Sequence, residues 1–364
     1  MNIVSTGEVI KTYLEANDVN VLSLAEKCKI SARTIIRVLN DESKLPYELA
    51  VAINQSIPEI SVDFLVSYDA VYQATKKRFE KENTINDVDE IIKEYKLKKL
   101  YKEYSEDKFS LFNIAKTIFG IDNIKDGYAI DVNDLKCCFS LAKNSDERTT
   151  QLWLKTAYEE YQLSCNHNPL LFDSKSFQEN FKLVKQLSNV KTISSILFNM
   201  KELCKETGIN FYYRPSIPNS RIRAVSCKDN RGYIYIFVSD LFKCVENLWL
   251  SFVHELIHIS NNDFETCQFE VIEDNENYVD EKAIEYFVGS AMKEKKKYSI
   301  SEILDISFST KTPVGIVAEI ARSKSKFYSD YEINSYVHYY KSADVHYTIP
   351  LALTNESTKN IEKI

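Results

Sequence analysis

With 364 residues, of which 44% are apolar and 12% aromatic, the chain is long enough for two or three domains and too apolar to be disordered. Its 46 Lys and Arg against 53 Asp and Glu leave a formal charge of -7, which excludes a general polyanion binder, so any contact with DNA must be local. Seven glycines and seven prolines leave little room for turn-rich meanders, and the expected class is mostly α with a small β-sheet (α+β).

The start, MNIVSTGEVIKTYLEAND, has no basic segment followed by an apolar run, and no uncharged apolar run approaches membrane-spanning length. The expectation is a cytoplasmic protein with no membrane partner. The eight cysteines (Cys28, Cys137, Cys138, Cys165, Cys204, Cys227, Cys244 and Cys267) form no C-x-x-C pair and read as small core residues.

Residues 1–72 read as short helices. Leu24, Ala25 and Cys28 make one apolar face, Ile30 opens a tight turn, and Ser31 caps a helix whose inner face is Ile35, Val38 and Leu39. This is the helix-turn-helix pattern, in which the second helix enters the major groove of DNA by its N-terminal half. Ser31, Ala32, Arg33, Thr34 and Arg37 are the candidate DNA-contacting positions, with Arg33 and Arg37 four apart on one face. The plainer alternative is a small helical bundle. Residues 1–70 hold six Lys or Arg against ten Asp or Glu, and Lys29 stands where such turns usually carry glycine.

Residues 73–187 read as a helical, charged connector with a solvated face, and Cys165 and His167 are its only possible ligand pair. Its polarity from Lys76 to Lys102 makes it a candidate for self-cleavage. Residues 188–364 open with the helix SSILFNMKELCKETG, after which INFYYRP and GYIYIFVS have strand character. A small sheet is therefore predicted, with GYIYIFVS as the edge beside which an extended peptide would lie. Helices follow at VDEKAIEYFVGSAMKEK, ISEILDIS and PVGIVAEIARSK, the last opened by Thr312 and Pro313.

Between sheet and helices lies NLWLSFVHELIHISNN. His254 and His258 are four apart, which puts both imidazoles on one face of a helix, and Glu255 projects to the side of that face. Trp249, Phe252, Val253, Leu256, Ile257 and Ile259 make the helix apolar almost all round, and polar groups on so buried a helix are costly unless paired or bound. Two histidines and a glutamate in the H-E-x-x-H arrangement suit zinc, with Glu255 as catalytic base. A third ligand is needed from the acidic residues downstream: Asp263, Glu265, Glu270, Glu273, Asp274, Glu276, Asp280 and Glu281. Glu281 is expected to supply it from the start of a helix, and Glu285 to hydrogen-bond an imidazole. For the oxyanion, Tyr278, His338 and Tyr339 stay open. The alternative is a satisfied core histidine pair.

Taken together, TGEVIKTYLEANDVNVLSLAEKCKISARTIIRVLND, NLWLSFVHELIHI, DEKAIEYFVGSAM and KTPVGIVAEIAR resemble XRE-type helix-turn-helix regulators, close to HigA-type antitoxins, joined to an ImmA/IrrE family metallopeptidase domain. The resemblance implies a domain order of regulator (1–72), helical middle (73–187) and gluzincin-like zinc endopeptidase (188–364). It also implies zinc on His254, His258 and Glu281 with Glu255 as catalytic glutamate. Its implied partners are operator DNA, a second copy of the chain, and a substrate protein such as a helix-turn-helix repressor, a toxin or the chain itself. Where that family has Glu-x-Glu-Ala-Asn/Asp-x-Phe-Ala, this chain has Glu281-Lys282-Ala283-Ile284-Glu285-Tyr286-Phe287-Val288, and Ser260 replaces an apolar residue. A second function class remains: a DNA-binding antitoxin or repressor whose peptidase-like domain is silent and senses metal or holds a partner.

Overall fold

The computed structural model describes residues 4–82, 85–121, 130, 132, 134–141, 146–264, 273–292, 297–325, 331–341, 344–345 and 347. The chain divides into two compact units, over residues 1–129 and 130–348. None of the described helices is long and apolar enough to cross a membrane.

In the first unit the described elements are helical: α1 (Thr6–Ala16), α2 (Val21–Cys28), α3 (Ala32–Leu39), α4 (Tyr47–Ser56), α5 (Val62–Glu82), α6 (Ile85–Glu94), α7 (Leu97–Leu100) and α8 (Lys108–Phe119). Lys29 ends α2 in the left-handed conformation (φ 56°), and Ser31 then caps α3 by accepting the Thr34 N–H at 3.1 Å. Ile10, Leu24, Ile35, Val38, Leu39 and Leu49 share one core. Gly7 lets α1 approach the end of α3, since a Cβ there would lie 2.4 Å from the Leu39 carbonyl oxygen. In the stretch from Lys76 to Lys102, Asp89, Glu90, Lys93, Lys98 and Lys99 keep a solvated face, and the opposite face is packed. Its periodic apolar residues Val88, Ile91, Ile92, Tyr95, Leu97, Leu100 and Tyr101 are buried.

The second unit contains β1 (Leu135–Leu141), α9 (Glu147–Ser164), α10 (Ser174–Phe181), α11 (Val184–Leu187), α12 (Ile193–Thr207), β2 (Asn210–Tyr213), β3 (Ile222–Asp229) and β4 (Ile234–Val238). The helices α13 (Val245–Asn261), α14 (Glu273–Val288), α15 (Ile300–Thr310), α16 (Val314–Ser325) and α17 (Tyr331–Asn334) follow. The sheet runs β1-β3-β4-β2, with β1/β3 and β3/β4 antiparallel and β2/β4 parallel.

Two sequence expectations change here. The middle region is not wholly helical, because Leu135–Leu141 form a strand whose partner, β3, lies far along the chain. GYIYIFVS supplies β4, an interior strand with all five residues buried, so the sheet edges are β1 and β2. Residues 147–187 accordingly belong with the sheet. On α9, Trp153 donates its indole N–H to the Pro215 carbonyl at 2.9 Å, and the buried Glu160 pairs with the buried Arg214 at 3.2 Å.

Candidate metal centre

α13 lies against β3, β1 and β4 on one side and against α14 and α16 on others. Its apolar majority explains the placement: Trp249, Phe252, Val253 and Leu256 are fully buried, and burying such a side chain contributes roughly 1.5–3 kcal/mol. His254, Glu255 and His258 are carried into the interior with them, each 1% exposed or less. Asn262 closes the helix in the left-handed conformation (φ 56°), which turns Asp263 back toward it.

Both rings are held by their Nδ1 atoms. His254 Nδ1 is 2.8 Å from Asp280 Oδ1, and His258 Nδ1 is 3.1 Å from Asp263 Oδ2. A carboxylate only accepts, so Nδ1 carries the hydrogen in each ring and the lone pair of the neutral ring lies on Nε2. Those two Nε2 atoms face each other at 3.0 Å, and Glu276 brings Oε2 to 3.0 Å from one and Oε1 to 3.3 Å from the other. Two lone pairs and a carboxylate in a buried pocket repel one another unless a cation lies among them.

That cation can be a proton or a metal. Burial opposes a charged His254, but hydrogen bonds to Asp280 and Glu276 outweigh it and push its pKa up to about 10. His258 is raised likewise, against burial, chiefly by Glu276 and Glu255. Burial alone would raise Glu276, yet the two imidazoles hold it down at about 2. For a metal the donor set also fits. Zinc–ligand bonds of about 2.0–2.1 Å imply tetrahedral ligand separations of roughly 3.3 Å, close to those seen, and one carboxylate with two imidazoles leaves a fourth position open.

Glu255 makes no hydrogen bond to the ligand atoms of this triad. Both its carboxylate oxygens are buried with no hydrogen-bond partner among the described residues. Burial raises its pKa, with the neighbouring imidazoles of His254 and His258 opposing.

The structure thus brings together the predicted His254, His258 and Glu255, and replaces the predicted third ligand. Glu276 takes that place, whereas Glu281 is exposed and Glu285 is an exposed partner of Lys282 at 2.7 Å. The reason is helical phase. Glu276, Val279, Asp280, Ala283 and Phe287 share the α14 face that meets α13, and five residues beyond Glu276 the chain has turned away from it. Asp280, not Glu285, orients His254, and Asp263 orients His258. A Glu and an Asp four apart on the face of Val279 and Ala283 was the signal available in the sequence. Glu265, Glu270 and Cys267 lie outside the described residues.

Tyr339 accepts a hydrogen bond from Arg322 at 2.6 Å, His338 pairs with Glu246 at 2.7 Å on another face of α13, and Tyr278 is half exposed. In the first unit Ser31, Arg33 and Arg37 are exposed, Ala32 and Thr34 are partly buried, and Arg37 pairs with Glu42 at 3.6 Å.

No family model, curated protein or solved structure matches the chain significantly.

Proposed function

We propose that the second unit is a zinc-dependent endopeptidase, and that the chain is a transcriptional regulator or antitoxin-like protein whose peptidase cleaves a regulatory protein. The observation that carries this reading is the convergence of two Nε2 lone pairs and the Glu276 carboxylate beside a fully buried, unpartnered Glu255. When bound by His254, His258 and Glu276, zinc would supply Lewis acidity toward water and a peptide carbonyl.

The chain's own groups do the rest. Asp280 and Asp263 fix both imidazole tautomers, so ligand nitrogens need no reorientation. Glu255 accepts the proton released as water adds to the carbonyl carbon and returns it to the amine nitrogen as the C–N bond breaks. Its buried carboxylate, with proton affinity raised by burial, suits that two-way transfer. The first unit supports DNA contact by the exposed Arg33 and Arg37 on α3. The buried apolar face between Lys76 and Lys102 favours a substrate other than that stretch of the chain itself.

Elemental analysis of wild type and Glu255→Gln, followed by incubation of each with a helix-turn-helix repressor, tests this. About one zinc per chain in both and products from wild type alone is expected. Zinc in both with no products would remove the peptidase and leave a metal-holding DNA-binding regulator. That second reading rests on the exposed α3 face and requires a mobility shift that an Arg33→Ala, Arg37→Ala double variant abolishes.

A further inference from the structure

A cleft of about 460 Å³ opens beside the candidate metal centre, between α13, α14 and α16. It begins within a turn of His254: Ser251 and Asn247 line it on α13, and Asp280, whose carboxylate holds His254, lines it on α14. Most of its charge is already neutralised. Arg322 pairs with Glu319, Asn247 donates to Glu319 at 2.9 Å, and Asp280 is engaged by the imidazole.

Arg223, on β3, is the exception. It lines the cleft and stacks over the Phe242 ring at 5.5 Å, but no carboxylate pairs with it among the described residues, and its Nε is buried without an acceptor. A guanidinium stacked on an aromatic face keeps its forked edge for an oxyanion and loses little rotamer freedom when it binds one. Resting on the peptidase reading, we infer that this cleft is a substrate subsite for a carboxylate, with Arg223 as the group that selects it. The carboxylate is an Asp or Glu side chain of the peptide, or the carboxyl terminus of a peptide that ends in the cleft.

The test uses full-length, zinc-loaded Glu255→Gln protein, which binds without turnover. Short fluorescein-labelled alanine-rich peptides carry one Glu, Gln or Lys, with the C-terminus free or amidated, and fluorescence anisotropy reads their affinity. Carboxylate-bearing peptides are expected to bind tighter than neutral ones by about tenfold or more, as a charge-assisted pair implies. A preference among amidated peptides assigns the side chain, and a preference only among free termini assigns the carboxyl terminus. Adding Arg223→Gln should bring the ratio near one, and Arg223→Glu should invert it toward Lys. Zinc content and melting temperature confirm that each variant is folded. Equal affinity for Glu, Gln and Lys peptides, or a preference that survives Arg223→Gln, overturns the subsite. Cleavage by wild type without charge preference would overturn the subsite and keep the peptidase. A carboxylate preference with no cleavage of any peptide keeps the subsite and removes the peptidase.

Discussion

Each histidine of the centre gives its Nδ1–H to an aspartate, and this fixes what the Nε2 atoms must meet. Replacing Glu276 by Ala should therefore weaken zinc binding by more than the roughly 10- to 100-fold expected for Asp280→Ala or Asp263→Ala, whereas Glu281→Ala should leave it unchanged. Competition with a fluorescent chelator measures all four. Protons tell the same story in the metal-free protein. With its folded pKa at about 10 against an ordinary 6.5, His254 contributes stability that is full below the unfolded value and lost as pH rises through the folded one. Chelator-treated protein should thus lose stability between about pH 6.5 and 10 in urea unfolding. Zinc-loaded protein should not follow, because zinc displaces the proton. The residues that the sequence revealed, His254, Glu255 and His258, lie within one helical turn, where spacing alone sets geometry. Glu276 was hidden among eight carboxylates because its role depends on how α14 crosses α13, which no local spacing encodes.

Elements were legible where one period dominated. α3 and α13 follow from their apolar spacing and, for α3, from the Ser31 cap. β4 is legible as a strand but not in its place, since its run of five buried residues without alternation marks an interior strand rather than the expected edge. β1 escaped because LKCCFSL is short, lies in a charged helical context, and becomes a strand only by pairing with β3. Two helix placements are testable. The Glu160–Arg214 pair joins α9 to the end of β2, with Tyr347 donating to the same carboxylate at 2.7 Å. Glu160→Ala removes the carboxylate that the buried Arg214, Tyr212 and Tyr347 all meet and should cost about 3–5 kcal/mol, while Glu160→Leu with Arg214→Met should recover much of it, as read by denaturant unfolding. Gly7→Ala should cost about 1–3 kcal/mol by pressing a methyl group onto the Leu39 carbonyl, provided α1 cannot shift away.

At the scale of the whole molecule, the two candidate features lie in different compact units: α3 with its exposed arginines in one, the His254–His258–Glu276 group in the other. A cation that binds only the folded second unit stabilises that unit by mass action. Hydrogen-exchange mass spectrometry should show zinc slowing exchange in α13 and α14. Exchange in α3 should stay as it was. Slowing that spreads to α3 would show that the His254–His258–Glu276 group and α3 are energetically coupled.

The order of strands also sets when the centre can exist. Cys137 of β1 lies opposite Cys227 of β3, a separation of 90 residues, and Cys138 reaches forward to the Asp263 carbonyl at 2.8 Å, across 125. At a synthesis rate of about 5–20 residues per second, β1 leaves the ribosome roughly 5–20 seconds before β3, the strand it pairs with, is made. During that interval β1 has no strand to pair with, and the sheet on which α13 packs is complete only after β3 and β4 have been made, so His254 and His258 can be buried only late in synthesis.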